Sequence, residues 1–335
     1  MRFKIINNDK VVIALDMGGT KIVGALINSE GRVLHSIRKP TEASLGRDRV
    51  LQSMTAIVNE LIEIAESKGI EVKKLGVSVA GQVDPTEGKI TYATDTIPGW
   101  TGTSLKEYFA KNSKLSVEVE NDAFCAAWGE KNYGIAKDTD DFIVITLGTG
   151  IGGAFFTDSK LFVGSRGLAG LIGHMSVDPN GRECNCGGIG CVERYSSGTG
   201  LVQTARELIE LGEKSILTEK PGDETQITAQ SVFEAFIKND NVASKSVRVM
   251  TKSLGTLIGS LVTLLNPRLV VIGGGLTASA DCFLEETIEE ARKHSSPAAF
   301  SQVRIAASRF PKDICLVGAA ALVLIGPIPR IGGIT

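Results

Sequence analysis

The stretch VVIALDMGGTKIVGALI, residues 11–27, decides the fold. Its apolar residues predict a buried strand that ends at Asp16, then a glycine turn, then a second strand at Ile22–Ile27. A third strand is predicted at residues 32–38. The chain therefore opens with a β-hairpin and not with a Rossmann βαβ unit, and the lack of a GxxxxGK[ST] motif excludes a Walker loop.

The same pattern returns in FIVITLGTGIGGAFF, residues 142–156, about 131 positions later. A strand, a glycine turn and a second strand, used once in each half, predict two related α/β domains that face each other across a cleft. The alternative is a chance similarity between two glycine hairpins. A length of 335 residues also favours two domains, because a single hydrophobic core rarely grows that large.

Hydrophobic periodicity predicts further elements between and after these hairpins. Residues 47–67 have apolar side chains at helical spacing, residues 81–85 predict a turn, and the glycine- and proline-rich tail 327–335 predicts irregular structure. The other predicted helices cover residues 123–133, 198–212, 228–238, 243–265, 281–293 and 316–324, and the other predicted strands cover residues 75–80, 117–120, 268–272 and 302–307.

Composition and charge exclude several classes of protein. The formal net charge is −2, which argues against a nucleic-acid-binding surface, since such a surface needs an excess of basic residues. No apolar run predicts a membrane span or a signal peptide, so a cytoplasmic protein is expected. Cys125, Cys282 and Cys315 stand alone and are expected to be buried.

A cluster of metal-ligand residues lies in the middle of the chain. His174, Cys184, Cys186 and Cys191 have the spacing His-x9-Cys-x-Cys-x4-Cys, which supplies the four ligands of a tetrahedral zinc site. Because all four ligands come from the protein, the zinc is predicted to be structural, since a catalytic zinc keeps one position open for water. The alternative is three unrelated thiols and a surface histidine.

Three glycine turns follow apolar strands and are candidates for contacts with a nucleotide. Glycine lets backbone N–H groups approach an anion, because it has no Cβ. Asp16 before the first turn suits Mg²⁺, directly or through water. Thr20 and Thr149 offer hydroxyls to phosphate oxygens, and Gly273–Gly275 suits the close approach of a nucleotide base or sugar. Taken singly, each turn also fits an ordinary hairpin.

Asp122 is the candidate general base. It follows a predicted strand and opens a predicted helix, and α/β sheets place ligands at the carboxyl ends of their strands. The alternative is that Asn121 or Asp122 only caps the helix. Both roles are compatible if Asn121 provides the cap and Asp122 faces the cleft.

Taken together, these motifs resemble those of the ROK sugar kinases, which belong to the actin-like, hexokinase-type ATPase superfamily. The resemblance extends from about residue 11 to residue 326. The matching segments are residues 16–21 and 147–153 for the two phosphate motifs, 271–275 for the adenosine motif, 120–123 for the sugar-binding Asn and catalytic Asp, 98–100 for the loop after the sugar-binding turn at Gly81, and 173–193 for the zinc signature.

The resemblance implies two RNase H-like domains. The first would cover residues 1–122 and be completed by a C-terminal helix at about 313–326, and the second would cover residues 123–312 and carry the zinc loop 174–191. ATP with Mg²⁺ would lie in the cleft beside a hexose, and the γ-phosphoryl group would pass to the 6-hydroxyl of glucose or a related hexose. A homodimer or homotetramer is also implied.

The resemblance further assigns roles to single residues. Asp122 would take the hydroxyl proton, and His174 would bind zinc through one ring nitrogen and a sugar hydroxyl through the other. The implied sugar ligands are Gly81, Asn121, Asp122, His174 and Glu193, and the implied nucleotide contacts are Asp16, Gly18, Gly19, Thr20, Lys21, Gly148, Thr149, Gly150, Gly273, Gly274 and Gly275.

Two departures from the family pattern lie on the sugar side. The usual Glu-x-Gly-His has Leu171 in place of a glutamate that contacts a sugar hydroxyl, and the usual Asn-Leu before Pro-Gly-Trp is Thr96-Ile97. Some N-acylmannosamine kinases of the family also lack this glutamate. The alternatives to a glucokinase are therefore an N-acetylmannosamine kinase, a sugar-binding protein with weakened catalysis, and a sugar-responsive repressor. The repressor is the least expected, because such repressors carry a helix-turn-helix domain before the first motif.

Overall fold

The computed structural model describes residues 10–93, 97–218, 226–310 and 312–333. Packing divides the described chain into two compact units. The first unit takes the described residues of Met1–Asp138, Ser159–Leu168 and Asp313–Thr335, and the second takes those of Thr139–Asp158 and Ala169–Lys312. The domain limit expected after residue 122 stays a prediction; by packing, the helix that follows it belongs to the first unit.

Strands and helices alternate along most of the chain, as in other α/β folds. The strands are β1 (Val12–Met17), β2 (Lys21–Ile27), β3 (Val33–Pro40), β4 (Lys74–Val79), β5 (Gln82–Asp84), β6 (Lys89–Tyr92), β7 (Ser116–Asn121), β8 (Phe142–Leu147), β9 (Ile151–Thr157), β10 (Lys160–Gly164), β11 (Leu269–Gly273), β12 (Arg304–Ala307) and β13 (Arg330–Gly332). The helices are α1 (Arg47–Ser67), α2 (Leu105–Asn112), α3 (Asp122–Tyr133), α4 (Glu193–Ser196), α5 (Gly198–Glu210), α6 (Ala229–Ile237), α7 (Asn241–Leu265), α8 (Leu284–Lys293), α9 (Pro297–Phe300) and α10 (Ile314–Leu324).

Most predicted helices and strands are confirmed in type, and two short segments differ from the prediction. Residues 82–84 form strand β5 where a turn was expected, and the tail contains strand β13 where irregular structure was expected. Both strands are three residues long, too short to show a period, and they form by pairing with β6 and β10. The expectation of burial is confirmed for Cys125 and wrong for Cys282, which is partly exposed.

The strand–turn–strand pattern of the sequence recurs as a common sheet topology. In the first unit, β1 pairs antiparallel with β2 and parallel with β4, and β4 pairs parallel with β7. In the second unit, β8 pairs antiparallel with β9 and parallel with β11, and β11 pairs parallel with β12. The turns between the paired strands are each three residues long, residues 18–20 and 148–150. The repeat seen in the sequence is therefore more than a chance similarity of glycine turns.

Helix α10 fixes the position of α3 in the first unit. Close approach is possible because glycines lie at its contacts. A Cβ at Gly76 on β4 would overlap the carbonyl group of Ala319 on α10, and a Cβ at Gly318 on α10 would overlap that of Cys125 on α3. Nearly every side chain of α10 is buried. The helix that begins at Asp122 is therefore packed closely against a buried helix.

Each unit has its own hydrophobic core. In the first unit, α1 covers the sheet with Val50, Met54, Ile57 and Leu61, as the helical spacing predicted. In the second unit, the long helix α7 contributes the largest share of the buried face. Helix α7 ends at Leu265, and the cap residue Asn266 takes the left-handed conformation with φ 44° before Pro267. Among the described residues, no helix is both long and apolar enough to cross a membrane.

Candidate active site

Two carbonyl groups of the β1–β2 turn accept hydrogen bonds from Thr41. Thr41 Oγ1 donates to the carbonyl oxygen of Gly18 over 2.6 Å, and the Thr41 N–H donates to that of Thr20 over 3.1 Å. The N–H groups of Gly19 and Thr20 have no acceptor in the described part of the chain. A Cβ added at Gly19 would meet no described atom within 4 Å, so the protein's own packing does not require glycine there. The open side of the turn can therefore receive an anion.

The β8–β9 turn of the second unit is built in the same way. The N–H of Gly198 donates to the carbonyl oxygen of Gly148 over 2.8 Å, and Thr199 Oγ1 donates to that of Thr149 over 2.8 Å. In the described chain, the N–H groups of Thr149 and Gly150 again lack an acceptor. A Cβ at Gly148 would meet nothing within 4 Å. This turn also presents backbone donors on an open side.

Two glycines that follow β11, Gly274 and Gly275, differ in how much space surrounds them. Gly274 has φ +89°, and a Cβ there would overlap the backbone of Leu147 at the end of β8. Thr277 Oγ1 donates to the carbonyl oxygen of Gly274 over 2.5 Å and fixes the turn. A Cβ at Gly275 would meet no described atom within 4 Å. Gly274 is thus required by packing, and Gly275 leaves room for a ligand.

Two carboxylates lie together in the first unit, at the carboxyl ends of parallel strands. Asp16 on β1 is largely buried and accepts a hydrogen bond from Ser78 Oγ over 2.8 Å. Burial raises the pKa of Asp16, and the hydrogen bond from Ser78 and the charge of Lys21 oppose that rise. Burial and, next, the charge of Asp16 raise the pKa of Asp122 to about 6. Oxygen ligands of this kind fit Mg²⁺, and a carboxyl group with this pKa suits a general base near neutral pH.

Asn121 caps α3 and holds the carboxylate of Asp122. Its Oδ1 accepts the N–H groups of Ala123 and Phe124 over 3.0 and 3.2 Å. Its Nδ2 donates to Asp122 Oδ1 over 3.0 Å and to the carbonyl oxygen of Gly81 over 2.9 Å. The prediction that one of these two residues caps the helix is therefore confirmed, and the cap is Asn121.

Gly81 belongs to the same group of residues. Its φ is +112°, and a Cβ there would come within 2.9 Å of the carbonyl oxygen of Tyr92, so glycine is required at this position. The neighbouring residue is tied to the loop at residues 98–100, because Trp100 Nε1 donates to the carbonyl oxygen of Ala80 over 3.3 Å. Thr96, the departure from the family pattern, lies outside the described residues.

The four predicted zinc ligands come together in the second unit. The ligand atoms of His174, Cys184, Cys186 and Cys191 all lie within 4.8 Å of one another. The distance from Cys184 Sγ to His174 Nδ1 is 3.7 Å, and that from Cys186 Sγ to Cys191 Sγ is 3.6 Å. Zinc–ligand bonds of about 2.0–2.3 Å in a tetrahedron require edges of about 3.5–3.8 Å. The residues therefore fit a tetrahedral zinc ion, with Nδ1 as the histidine ligand atom.

The backbone around this cluster forms tight turns with glycines at positive φ. The N–H of Cys184 donates to the carbonyl oxygen of Gly188 over 2.8 Å, and Gly187 and Gly190 have φ of +87° and +72°. A Cβ at Gly190 would overlap the carbonyl group of Asp178. Burial and the neighbouring thiols raise the pKa of the Cys191 thiol to about 12, so a cation that binds the thiolate must displace its proton.

Glu193 follows the zinc loop and reaches back to the β8–β9 turn. Its Oε2 accepts the N–H of Ile151 over 2.8 Å, and a Cβ at Gly150 would overlap this carboxylate. His174 uses Nδ1 toward Cys184, so its Nε2 is the ring nitrogen left for a ligand. Leu171, which replaces the family glutamate, is 40% exposed. His174 is thus part of the cysteine–histidine cluster, and Glu193 lies two residues after the last cysteine of that cluster.

Several residues of these sites were not predicted. Thr41 and Ser78 hold the first turn and Asp16, and Arg182 anchors the zinc loop by hydrogen bonds to Thr204 and Glu207 on α5. Ser78 carried a signal, since it is a polar residue in an apolar strand. Thr41 and Arg182 carried none, because they act on segments that are distant in sequence.

Comparison with known protein families matches residues 12–325 to the model of the ROK family. The chain belongs to the ROK family. A crystal structure of a ROK family glucokinase from Streptomyces griseus in complex with glucose and AMPPNP is 31% identical with a TM-score of 0.83, and the match covers 93% of this chain and 98% of that one. The α/β fold described above is therefore a ROK fold.

Curated relatives of this ROK protein include kinases and a repressor. The glucokinase of Thermotoga maritima is 28% identical over 322 residues, 96% of this chain and 98% of the relative. The N-acetylmannosamine kinase of Escherichia fergusonii is 29% identical over 310 residues, 92% and 97% of the two chains. The xylose repressor of Caldicellulosiruptor bescii is 26% identical over 318 residues, 93% and 78% of the two chains. Membership of the ROK family therefore does not identify the substrate, which has to be inferred from the residues of the site.

Proposed function

We propose that this ROK protein is an ATP-dependent hexose kinase that transfers the γ-phosphoryl group to the 6-hydroxyl of glucose or a related hexose. The observation that carries this proposal is the carboxylate of Asp122, which is half-buried at the start of α3 and accepts a hydrogen bond from Asn121 Nδ2. Burial and the charge of Asp16 raise its pKa to about 6. A regulatory sugar-binding protein has no need of a carboxylate held in this state. A base that titrates just below neutral pH is deprotonated when the enzyme works.

In this proposal Asp122 accepts the proton of the sugar hydroxyl as that oxygen attacks the γ-phosphorus. Most of its effect comes from positioning, because the transition state of phosphoryl transfer is loose and needs little covalent help. The open N–H groups of the β1–β2 and β8–β9 turns would hold phosphate oxygens of ATP, and the space at Gly275 would admit its adenosine. Asp16 would hold Mg²⁺, directly or through water, and the bound ion would neutralise phosphate charge. Lys21, at the end of the first turn, would add a further positive charge.

The sugar ligands of the proposal form two groups. In the first, Gly81, Asn121 and Asp122 already form one hydrogen-bonded group. In the second, His174 would use Nε2 and Glu193 would use its carboxylate. Directed polar groups of this kind suit a polyol, because each hydroxyl needs a placed partner.

Zinc in this proposal is structural. His174, Cys184, Cys186 and Cys191 provide four ligand atoms within 4.8 Å of one another, the full set for a tetrahedral ion, which leaves no position for water. The ion would hold the histidine ring and the segment that carries Glu193. We further propose that the two units are RNase H-like domains, which the shared strand pairing of β1, β2 and β4 with β8, β9 and β11 supports. The cytoplasmic location and the homodimer or homotetramer stay predictions.

A second candidate substrate follows from Leu171. Its exposed apolar side chain, three residues before His174, removes a carboxylate acceptor and adds surface that an acyl group can contact. An N-acetylmannosamine kinase is therefore the alternative to a glucokinase. A protein with weakened catalysis is disfavoured because Asp16, Lys21 and Asp122 are all present.

The deciding experiment is a coupled assay of ADP release with MgATP and a panel of sugars. Glucose, mannose, N-acetylglucosamine and N-acetylmannosamine should be compared at equal concentration, with Asp122→Asn as the blank. Sugar-dependent ADP release that the blank lacks supports a kinase, and the preferred sugar names its class. Sugar binding by calorimetry without ADP release for any sugar would instead favour the regulatory alternative.

A further inference from the structure

The C-terminal strand β13 reaches the segment that carries Asn121 and Asp122. Arg330, the first residue of β13, donates from its guanidinium group to the carboxylate of Glu120, the residue before Asn121. The same guanidinium lies 6.0 Å from the ring centroid of Phe124 on the first turn of α3. Arg330 therefore contacts residues on both sides of Asp122.

Glu120 transmits this contact to its neighbours. Its side chain is only 2% exposed, and its Oε1 accepts the N–H of Asn121 over 2.9 Å. The side chain of Asn121 in turn donates to Asp122 Oδ1 over 3.0 Å. One series of hydrogen bonds thus joins Arg330, through Glu120 and Asn121, to the proposed base.

The segment that leads to Arg330 is itself fixed along α3. Trp128 Nε1 donates to the carbonyl oxygen of Gly326 over 3.2 Å, one helical turn beyond Phe124. Ile328 is buried, and β13 pairs parallel with β10. The segment that carries Arg330 is therefore held in place by a hydrogen bond, a buried side chain and strand pairing.

Separating the ion pair of Arg330 and Glu120 costs free energy. Burial raises the pKa of Glu120, and the charge of Arg330 and the N–H of Asn121 oppose that rise. Without Arg330, Glu120 would be a buried carboxylate with no cation, so it would take up a proton or rotate. Either change alters the acceptor of the Asn121 N–H and hence the backbone that positions Asp122.

We propose that Arg330 and Glu120 form a positioning pair by which the C-terminal strand sets the orientation of Asn121 and Asp122. The kinetic part of this inference rests on the proposed kinase function. Its structural part does not, because the orientation of the α3 N-terminus can be measured without turnover.

The kinetic test uses Arg330→Met, Arg330→Lys, Glu120→Gln and the double variant Glu120→Gln/Arg330→Met. Arg330→Met should lower kcat at least tenfold, with the KM values for sugar and ATP within threefold of the unmodified protein. Arg330→Lys should recover part of that loss, because it keeps the charge but loses the planar fork. The double variant should lose no more than the worse single variant, since the two residues act as a unit.

A matched control involves Glu118, which lies on β7 two residues before Glu120. Glu118 forms an ion pair at 3.1 Å with Lys106 on α2, but the two side chains are 37% and 35% exposed and do not contact Asn121. Lys106→Met should leave kcat unchanged. If folded Arg330→Met also keeps kcat within twofold, the pair is only a structural tie and the proposal is wrong.

Amide hydrogen exchange provides the readout that is independent of turnover. The N–H groups of Ala123 and Phe124 donate to Asn121 Oδ1, so their exchange reports the orientation of Asn121. Both should exchange at least tenfold faster in Arg330→Met, or in the double variant if the single one does not fold, and at an unchanged rate in Lys106→Met. Unchanged exchange would overturn the positioning role. Absence of kinase activity in the unmodified protein would refute the proposed function alone, and the exchange test would still apply.

Discussion

The side-chain amide of Asn121 donates to Asp122 Oδ1 over 3.0 Å while its Oδ1 caps the first turn of α3. One side chain therefore fixes both the start of the helix and the carboxylate that begins it. The second hydrogen of the amide goes to the carbonyl oxygen of Gly81. Because the helix N-terminus carries a partial positive charge, this arrangement also stabilises the ionised form of Asp122 against the effect of burial.

The first prediction concerns Asp122 itself. Asp122→Asn keeps the shape of the side chain and an oxygen that can accept the N–H of Ala123, but it removes the base. We expect kcat to fall by about 10²–10⁴-fold, the usual contribution of general base catalysis, with sugar still bound. Steady-state kinetics and calorimetry measure the two quantities. Asp48→Asn is the control, because the Asp48 side chain is 75% exposed. Near-normal turnover in Asp122→Asn would show that Asp122 is not the general base.

The second prediction separates the cap from the catalytic role of Asn121. Asn121→Ala removes an N-cap and should lower the free energy of unfolding by about 1 kcal/mol, measured by urea denaturation. It should also lower kcat, because Asp122 loses its donor. Ser104 caps α2 in the same unit by accepting the N–H of Glu107, so Ser104→Ala should cost similar stability without a change in kcat. An equal loss of kcat in both variants would mean that Asn121 acts through stability alone.

The third prediction is a pH dependence. Asp122 must be ionised to act as a base, so kcat should fall as the pH drops through about 6, and this acid limb should be absent from the residual activity of Asp122→Asn. The stability effect has the opposite direction. Because the folded pKa lies above the ordinary value of 3.8, the folded state holds this proton more tightly, and the stability it contributes is lost as the pH rises from about 4 to about 6.

A consequence for stability can be measured in the same variant. Asp122→Asn should become more stable than the unmodified protein as the pH rises through this window, by as much as about 3 kcal/mol above it. Urea denaturation at several pH values tests this. A difference that stays constant from pH 4 to pH 8 would show that the carboxyl group has an ordinary pKa.

The sequence predicted most of the local structure and the cluster of three cysteines and one histidine, and it missed contacts that depend on the pairing of distant segments. Asp16 and Asp122 could be singled out because each follows an apolar strand and lies beside a turn or helix start. The cluster at residues 174–191 could be recognised because zinc ligands have a restricted spacing. Thr41, which holds the first turn, has no periodic or compositional signal, and β13 forms only because β10 offers an edge for pairing.

The fourth prediction concerns zinc. The protein should contain one zinc ion per chain, and Cys186→Ser should lose it without damage to the core, because Cys186 is the exposed ligand. Since His174 and Glu193 are both placed by this loop, sugar affinity and thermal stability should fall before nucleotide affinity does. Calorimetry with each ligand measures this, and Cys282→Ser is the control thiol outside the cluster. Unchanged sugar affinity in a zinc-free, folded protein would contradict the division of roles.

The last prediction addresses the choice of sugar. Leu171→Glu restores the acceptor found in the usual family pattern, and a hydrogen bond to a charged group contributes about 1.5–3 kcal/mol, equivalent to roughly 10–100-fold in affinity. We expect the ratio of kcat/KM for glucose over N-acetylmannosamine to rise by about that factor, because the apolar surface for an acyl group is lost at the same time. Ile189→Glu is the control, since Ile189 is another exposed apolar residue near His174 in sequence, within the loop 174–191, and is 53% exposed. If both variants change the ratio equally, a general effect of negative charge explains it and Leu171 does not select the sugar.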